Sequence, residues 1–118
     1  MMSVNKLLAV DGPFNQWVLN IGGSLDVRAG SFWLTFKNGV FLSVQFRDGS
    51  YCDVEGLAAT EVEIALGRED EGLWLGDDAP LPEQVVGWVP VYDIPAIASA
   101  VHDERWATLR YIARGRNR

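Results

Sequence analysis

Between residues 31 and 46 apolar and polar positions alternate along the chain. Phe32, Leu34 and Phe36 alternate with Trp33, Thr35 and Lys37; Val40, Leu42, Val44 and Phe46 alternate with Phe41, Ser43 and Gln45. A period of two predicts strands with one face turned inward. The Asn38-Gly39 pair suggests a two-residue type I′ turn. That register, however, pairs Thr35 with Leu42 and puts the two apolar sets on opposite faces. A three-residue loop, Lys37-Asn38-Gly39, pairs Phe36 with Val40, Leu34 with Leu42 and Phe32 with Val44, and unites them. Because a slip of one residue turns every side chain over, the pattern selects the longer loop, with Gly39 in the left-handed position. Trp33 and Phe41 then point to the second face of the sheet. The same Phe-basic-(Asn/Asp)-Gly form recurs at Phe46-Arg47-Asp48-Gly49 and predicts a second hairpin, with Phe46 opposite Ser50, Val44 opposite Cys52 and Leu42 opposite Val54. The result is a three-stranded antiparallel meander over residues 31–54.

Alternation returns at Thr60–Leu66, with Val62, Ile64 and Leu66 inward and Glu61 and Glu63 outward. A polar loop over 67–72 precedes a return strand at Leu73-Trp74-Leu75, and Val85–Val89 reads as a further strand that Pro90 ends. The period then lengthens. Ile94, Ile97, Ala98 and Val101 form a helical stripe, Asp93 suits the N-cap and Pro95 the first turn, predicting a helix over 94–103. Trp106, Leu109 and Ile112 fit a helix, while Thr108 and Tyr111 also permit a strand. Before residue 31, Asp11-Gly12-Pro13 marks a turn, Val4–Val10 is open between helix and strand, Trp17–Ile21 reads as a short strand closed by Gly22-Gly23, and Leu25–Arg28 as another. Strands followed by a helix predict an α+β domain: an antiparallel β-meander sheet with one short C-terminal helix packed on one face. All of residues 1–118 form a single domain, with 114–118 a flexible basic tail.

Charge changes the picture more than size does. Residues 1–104 hold all 16 acids and five bases, whereas the last fourteen residues hold five arginines and no acid. The body is therefore acidic, the tail basic, and the whole carries −6. This balance argues against duplex nucleic acid, whose phosphates demand Lys and Arg. The absence of a long apolar run argues against a membrane span, and the single Cys52 fits a reducing, cytoplasmic setting. One histidine, His102, cannot build a His-based metal centre, and Cys52 on the inward side of a strand reads as a small core residue rather than a nucleophile. Glu61 and Glu63 on one strand face are the nearest approach to a carboxylate pair. Gly22-Gly23 lacks the Lys and Ser/Thr of a phosphate loop. No catalytic, cofactor or metal residues are assigned, so the chain reads as a non-enzyme without cofactors. The arginines of the tail, with Trp106 and Tyr111 among them, resemble the mix of single-strand binders, but against an acidic body they read first as docked internally or as serving solubility.

Two features point to a partner. Glu69, Asp70 and Glu71, followed by Asp77 and Asp78, form either a solvated loop or a recognition surface for a basic partner. Five tryptophans exceed what so small a core requires; of these Trp33, with Phe41, and Trp74 are candidates for an interaction surface. The candidate partner-binding residues are thus Trp33, Phe41, Glu69, Asp70, Glu71, Trp74, Asp77 and Asp78.

The run Trp33-Leu34-Thr35-Phe36-Lys37-Asn38-Gly39, then Ser43-Val44-Gln45-Phe46 and Tyr51-Cys52, resembles a pattern in small proteins of phages and prophages. Glu61-Val62-Glu63-Ile64-Ala65 and Val86-Gly87-Trp88-Val89 are similar to the same family, so the likeness covers residues 31–103. Val91-Tyr92 and the arginine-rich tail depart from it. The resemblance implies viral origin, a place in the host cytoplasm and an accessory role, and transfers no catalytic residue. The expected function is binding to a host or viral protein, one form being an anti-defence inhibitor of the anti-CRISPR kind whose carboxylates compete with phosphates. The alternatives are a self-assembling module, such as a homodimer, and a small enzyme on an unfamiliar scaffold.

Overall fold

A computed structural model describes residues 2–46, 53–55 and 58–114. In chain order the elements are α1 (Val4–Leu7), α2 (Pro13–Asn20), β1 (Ser24–Arg28), β2 (Ser31–Thr35), β3 (Val40–Gln45), β4 (Asp53–Glu55), β5 (Ala58–Arg68), β6 (Gly72–Leu73), β7 (Val86–Pro90), α3 (Ile94–His102) and α4 (Trp106–Ile112). The α+β class holds. All the strands join one antiparallel sheet.

The hairpin β2–β3 has the register that the apolar pattern demands. Leu34 lies opposite Leu42 and Phe32 opposite Val44. The turn closes through Phe36 N–H to the Val40 carbonyl at 2.9 Å and Gly39 N–H to the Phe36 carbonyl at 3.1 Å. Gly39 has φ +82° with open space around it, so only its backbone conformation requires glycine.

The second edge of β3 differs from the expected meander. It is taken by β5, with Leu42 opposite Leu66 and Val44 opposite Ile64, while Val54 of β4 pairs with Ala59. The reason is apolar content: β5 brings Val62, Ile64 and Leu66 to the inner face, whereas the 50–54 stretch offers only Cys52 and Val54. The Arg47-Asp48-Gly49 turn and Cys52 lie outside the described residues.

β5 is eleven residues long and has only two edges, yet it serves four strands. Glu61 pairs with both Asp53 and Pro90, Ile64 with both Val44 and Val86, and Gly67 with both Phe41 and Leu73. Hence β3 and β4 lie end to end along one edge, and β6 and β7 along the other. Glu61 lies on the face opposite Val62 and Ile64, as expected, but it is not solvent-facing there, being only 4% exposed. β7 carries an irregularity there: Val86 and Val89 both face the core at 0% exposure, and Trp88 between them has φ +58°.

Among the described residues there are four α-helices rather than one. Val4 and Leu7 of α1, Phe14 and Val18 of α2, Ile94, Ile97, Ala98 and Val101 of α3, and Leu109 of α4 join a single buried cluster with the inner face of the sheet. The stretch Trp17–Ile21, expected as a strand, is the end of α2. Phe14, Trp17, Val18 and Ile21 recur at helical spacing, and Pro13 opens the helix where its missing N–H costs nothing. Gly22 and Gly23 close that helix, their N–H groups bonding to the carbonyls of Leu19 and Val18. The return strand expected at 73–75 is shorter, since Trp74 leaves the ladder after β6. Residues 115–118 of the expected tail lie outside the described residues.

Asp93 stands at the start of α3 as expected but makes no capping bond. A 3₁₀ turn over Val91–Asp93 runs straight into the helix, so its backbone is already helical. Burial raises its pKa above the ordinary value. The folded protein therefore holds this proton more tightly than the unfolded chain, and ionisation opposes folding. The penalty sets in as pH rises from the unfolded to the folded pKa and is complete at neutral pH. Asp93→Asn should thus be more stable than the parent at pH 7, with the gap closing as the pH falls through the carboxylate range in denaturation series.

Gly67 meets a different constraint. An added Cβ would collide with the Phe41 ring and sit 2.7 Å from the Gly72 carbonyl oxygen. Overpacking of this kind costs about 1–3 kcal/mol, and here the backbone cannot move aside. Gly39→Ala, with only a strained φ, should cost about 1 kcal/mol. Urea unfolding should rank Gly67→Ala as the more damaging, and equal losses would contradict this account.

Candidate functional site

Three chain reversals meet at one end of the sheet. The β2–β3 turn is tied to the β5–β6 turn by Glu69 N–H donating to the Gly39 carbonyl at 2.9 Å. It is tied to the end of α3 by Asn38 Nδ2 donating to the Val101 carbonyl at 3.2 Å, while Asn38 Oδ1 accepts from Val40 N–H at 3.1 Å. Between these reversals lies a cleft of about 580 Å³, bordered by Asn38, Arg68, Glu69–Glu71, Trp74, Glu104 and Trp106.

Its walls are aromatic. Trp74 N–H donates to the Leu66 carbonyl at 2.9 Å as the chain leaves β6. Its ring meets Trp106 nearly at right angles, with centroids 5.2 Å apart and planes at 79°. The Arg68 guanidinium lies 3.8 Å over the Trp74 face and 3.7 Å from a Glu71 oxygen. Stacking, not hydrogen bonding, holds the indole: its Nε1–H is buried and meets no acceptor among the described residues. Cation–π contact of this sort contributes about 0.5–2 kcal/mol.

Its rim is acidic. Glu69, Asp70 and Glu71 occupy the tip between β5 and β6, and all three are exposed. Glu104 faces them from the α3–α4 junction. That helix ends with Glu104 N–H to the Val101 carbonyl at 3.2 Å and Arg105 N–H to the Ala100 carbonyl at 2.9 Å, a closure that puts residue 104 in the left-handed region. Glycine is the usual occupant, yet here it is a glutamate at φ +56°. The chain thus bears backbone strain where it presents a carboxylate to the cleft. With Arg68 as the one cation among four carboxylates in the lining, the cleft favours positive charge.

Of the residues singled out in the sequence, Glu69, Asp70, Glu71 and Trp74 come together here. Asp77 and Asp78 do not line the cleft and lie in the adjoining loop beyond Trp74. Trp33 and Phe41 are elsewhere, on the second sheet face, stacked at 4.9 Å and 13° with Arg28 5.9 Å from the Trp33 ring. Phe41 is buried by this stack, whereas Trp33 and the neighbouring Leu73 are 36% and 41% exposed. Arg68 and Glu104 escaped sequence reasoning, and Trp106 entered it only with the arginines of the tail; the adjacency of Arg68 to the acidic run was the available signal. Arg110 of the basic tail docks internally, donating to the carbonyls of Ala79 at 2.9 Å and Pro80 at 3.2 Å.

His102 is partly exposed, its ring against Trp17 and Phe36 and its Nδ1 2.7 Å from an Asp103 oxygen. Among the described residues no three His, Cys, Asp or Glu side chains form a metal-binding group. No helix among them is long and apolar enough to cross a membrane. Comparison with known proteins finds no matching family model, no similar curated protein and no similar solved structure.

Glu104→Gly tests the strain at this position. Relief of the left-handed strain should stabilise the fold by about 1 kcal/mol. A thermal midpoint at or below the parent's would show that the glutamate earns its position through contacts within the fold.

Proposed function

We propose that this is a non-enzymatic accessory protein of phage type that acts by binding another protein, taking a basic segment of its partner into the acidic two-tryptophan cleft. The observation that carries the reading is the convergence of Glu69, Asp70, Glu71 and Glu104 on the Trp74–Trp106 corner. Such a corner suits an arginine or lysine side chain, with aromatic faces for the stem and cationic head and carboxylates for the charge. In an anti-defence role the basic segment would belong to a nucleic-acid channel of a host complex, and the carboxylates would stand where phosphates bind.

Titration calorimetry with an octa-arginine peptide tests the chemistry. Binding should weaken about tenfold or more when salt is raised from low to physiological strength. The triple variant Glu69→Gln, Asp70→Asn, Glu71→Gln should abolish it, whereas Asp77→Asn with Asp78→Asn, which removes nearby charge outside the cleft, should leave most of it. Equal losses in the two variants would reduce the effect to net charge. Loss in Trp33→Ala with the triple variant intact would move the interface to the second sheet face.

A further inference from the structure

A second cavity lies on the helical side of the molecule, and its character is the reverse of the acidic cleft. It measures about 300 Å³ and opens where α1, α2 and α3 meet. Leu7 and Phe14 form its floor and are themselves buried in the core. Pro13 and Pro95 stand at the first turns of α2 and α3, where their rings are rigid. Trp17 forms a side wall and is held from behind by Phe14, Phe36 and His102, with ring centroids 6.0, 6.5 and 6.0 Å away. Met2 completes the apolar lining at the mouth. The walls are therefore set by contacts that exist without any ligand, as preformed small-molecule sites are.

Only two polar side chains line the cavity, Lys6 and Ser99. Lys6 is exposed and forms no ion pair among the described residues. The Ser99 hydroxyl accepts from Arg105 at 3.3 Å, and Arg105 is itself 3.6 Å from an Asp103 oxygen, so Lys6 is the cation that faces the cavity. In a chain of net charge −6, the lining of this cavity carries a single formal charge, and it is positive. The overall field does not draw an anion to this protein, so selection for one must be local.

We propose that this cavity binds a small amphipathic monoanion, a medium-chain or aryl carboxylate whose apolar body rests against Trp17, Phe14 and Leu7 and whose carboxylate meets Lys6 at the mouth. The volume suits a short chain or a ring and is too small for a folded partner. The cavity shares no lining residue with the acidic cleft, so the two sites stand or fall separately.

The test uses the full chain with ¹³C-methyl methionine, titrated with decanoate below its micelle concentration. The Met2 signal, assigned with Met2→Leu, should shift and saturate. Decanol should bind about fivefold more weakly than decanoate, the worth of one exposed ion pair. Lys6→Ala should bring decanoate down to the decanol level and leave the fold unchanged, because Lys6 is exposed. A shift that never saturates, or equal affinity for decanol and decanoate, would overturn the proposal. So would a Met2 signal that moves with protein concentration alone, since a second copy would then be filling the cavity.

Discussion

A strand has two hydrogen-bonding edges, and in this protein one strand uses both of them twice. β5 carries Val62, Ile64 and Leu66 on its inner face, each almost wholly buried, and every other part of the sheet is placed by reference to it. Its alternation selects which side faces the helices, since a shift of one residue would exchange that apolar row for Glu61, Glu63, Ala65 and Gly67. Its length allows β3 and β4 on one edge and β6 and β7 on the other. The four helices then need only cover the inner face, and their apolar stripes meet it in one continuous core.

The same strand brings the site together. At its C-terminal end β5 passes Arg68 and turns through the acidic tip; the adjacent β2–β3 turn is tied to that tip by a backbone hydrogen bond and to the end of α3 by the Asn38 side chain. The carboxylates stand at reversals, where side chains contribute little to the core, while the indoles beneath them are fixed by stacking. Geometry is thus supplied by the rigid layer and charge by the exposed one. The same division holds in the helical cavity, whose floor is made of core residues and whose single charge, of opposite sign, is peripheral.

Local patterns were legible where they decide structure locally. The β2–β3 register followed from the alternation around Lys37-Asn38-Gly39, and α3 from the stripe Ile94, Ile97, Ala98, Val101. The β3 partner was not legible, because two stretches compete for one edge and the winner is the one that buries more apolar surface. α2 was misread because Trp17 and Val18 are good strand formers, yet Phe14, Trp17, Val18 and Ile21 make a helical stripe that Pro13 begins. Of the site, Glu69–Glu71 and Trp74 stood out as charge and tryptophan. Trp106 and Glu104 join them only through tertiary closure, and the left-handed backbone at Glu104 has no sequence signature.

The segment from Trp74 to Val85 leaves β5 and returns to it almost at the same place. Trp74 N–H bonds to the Leu66 carbonyl, and Val86 lies opposite Ile64. Pro80 and Leu81 tuck beneath it, and Arg110 clasps the carbonyls of Ala79 and Pro80. It is an Ω-loop, a closed excursion whose ends are pinned by the sheet rather than by its own length. Doubling the length of such an excursion adds only about 0.6 kcal/mol of closure entropy. Insertions at its Asp77-Asp78 tip would therefore leave the strand register untouched. This is where descendants of the protein can diverge in size and surface at least expense to the fold.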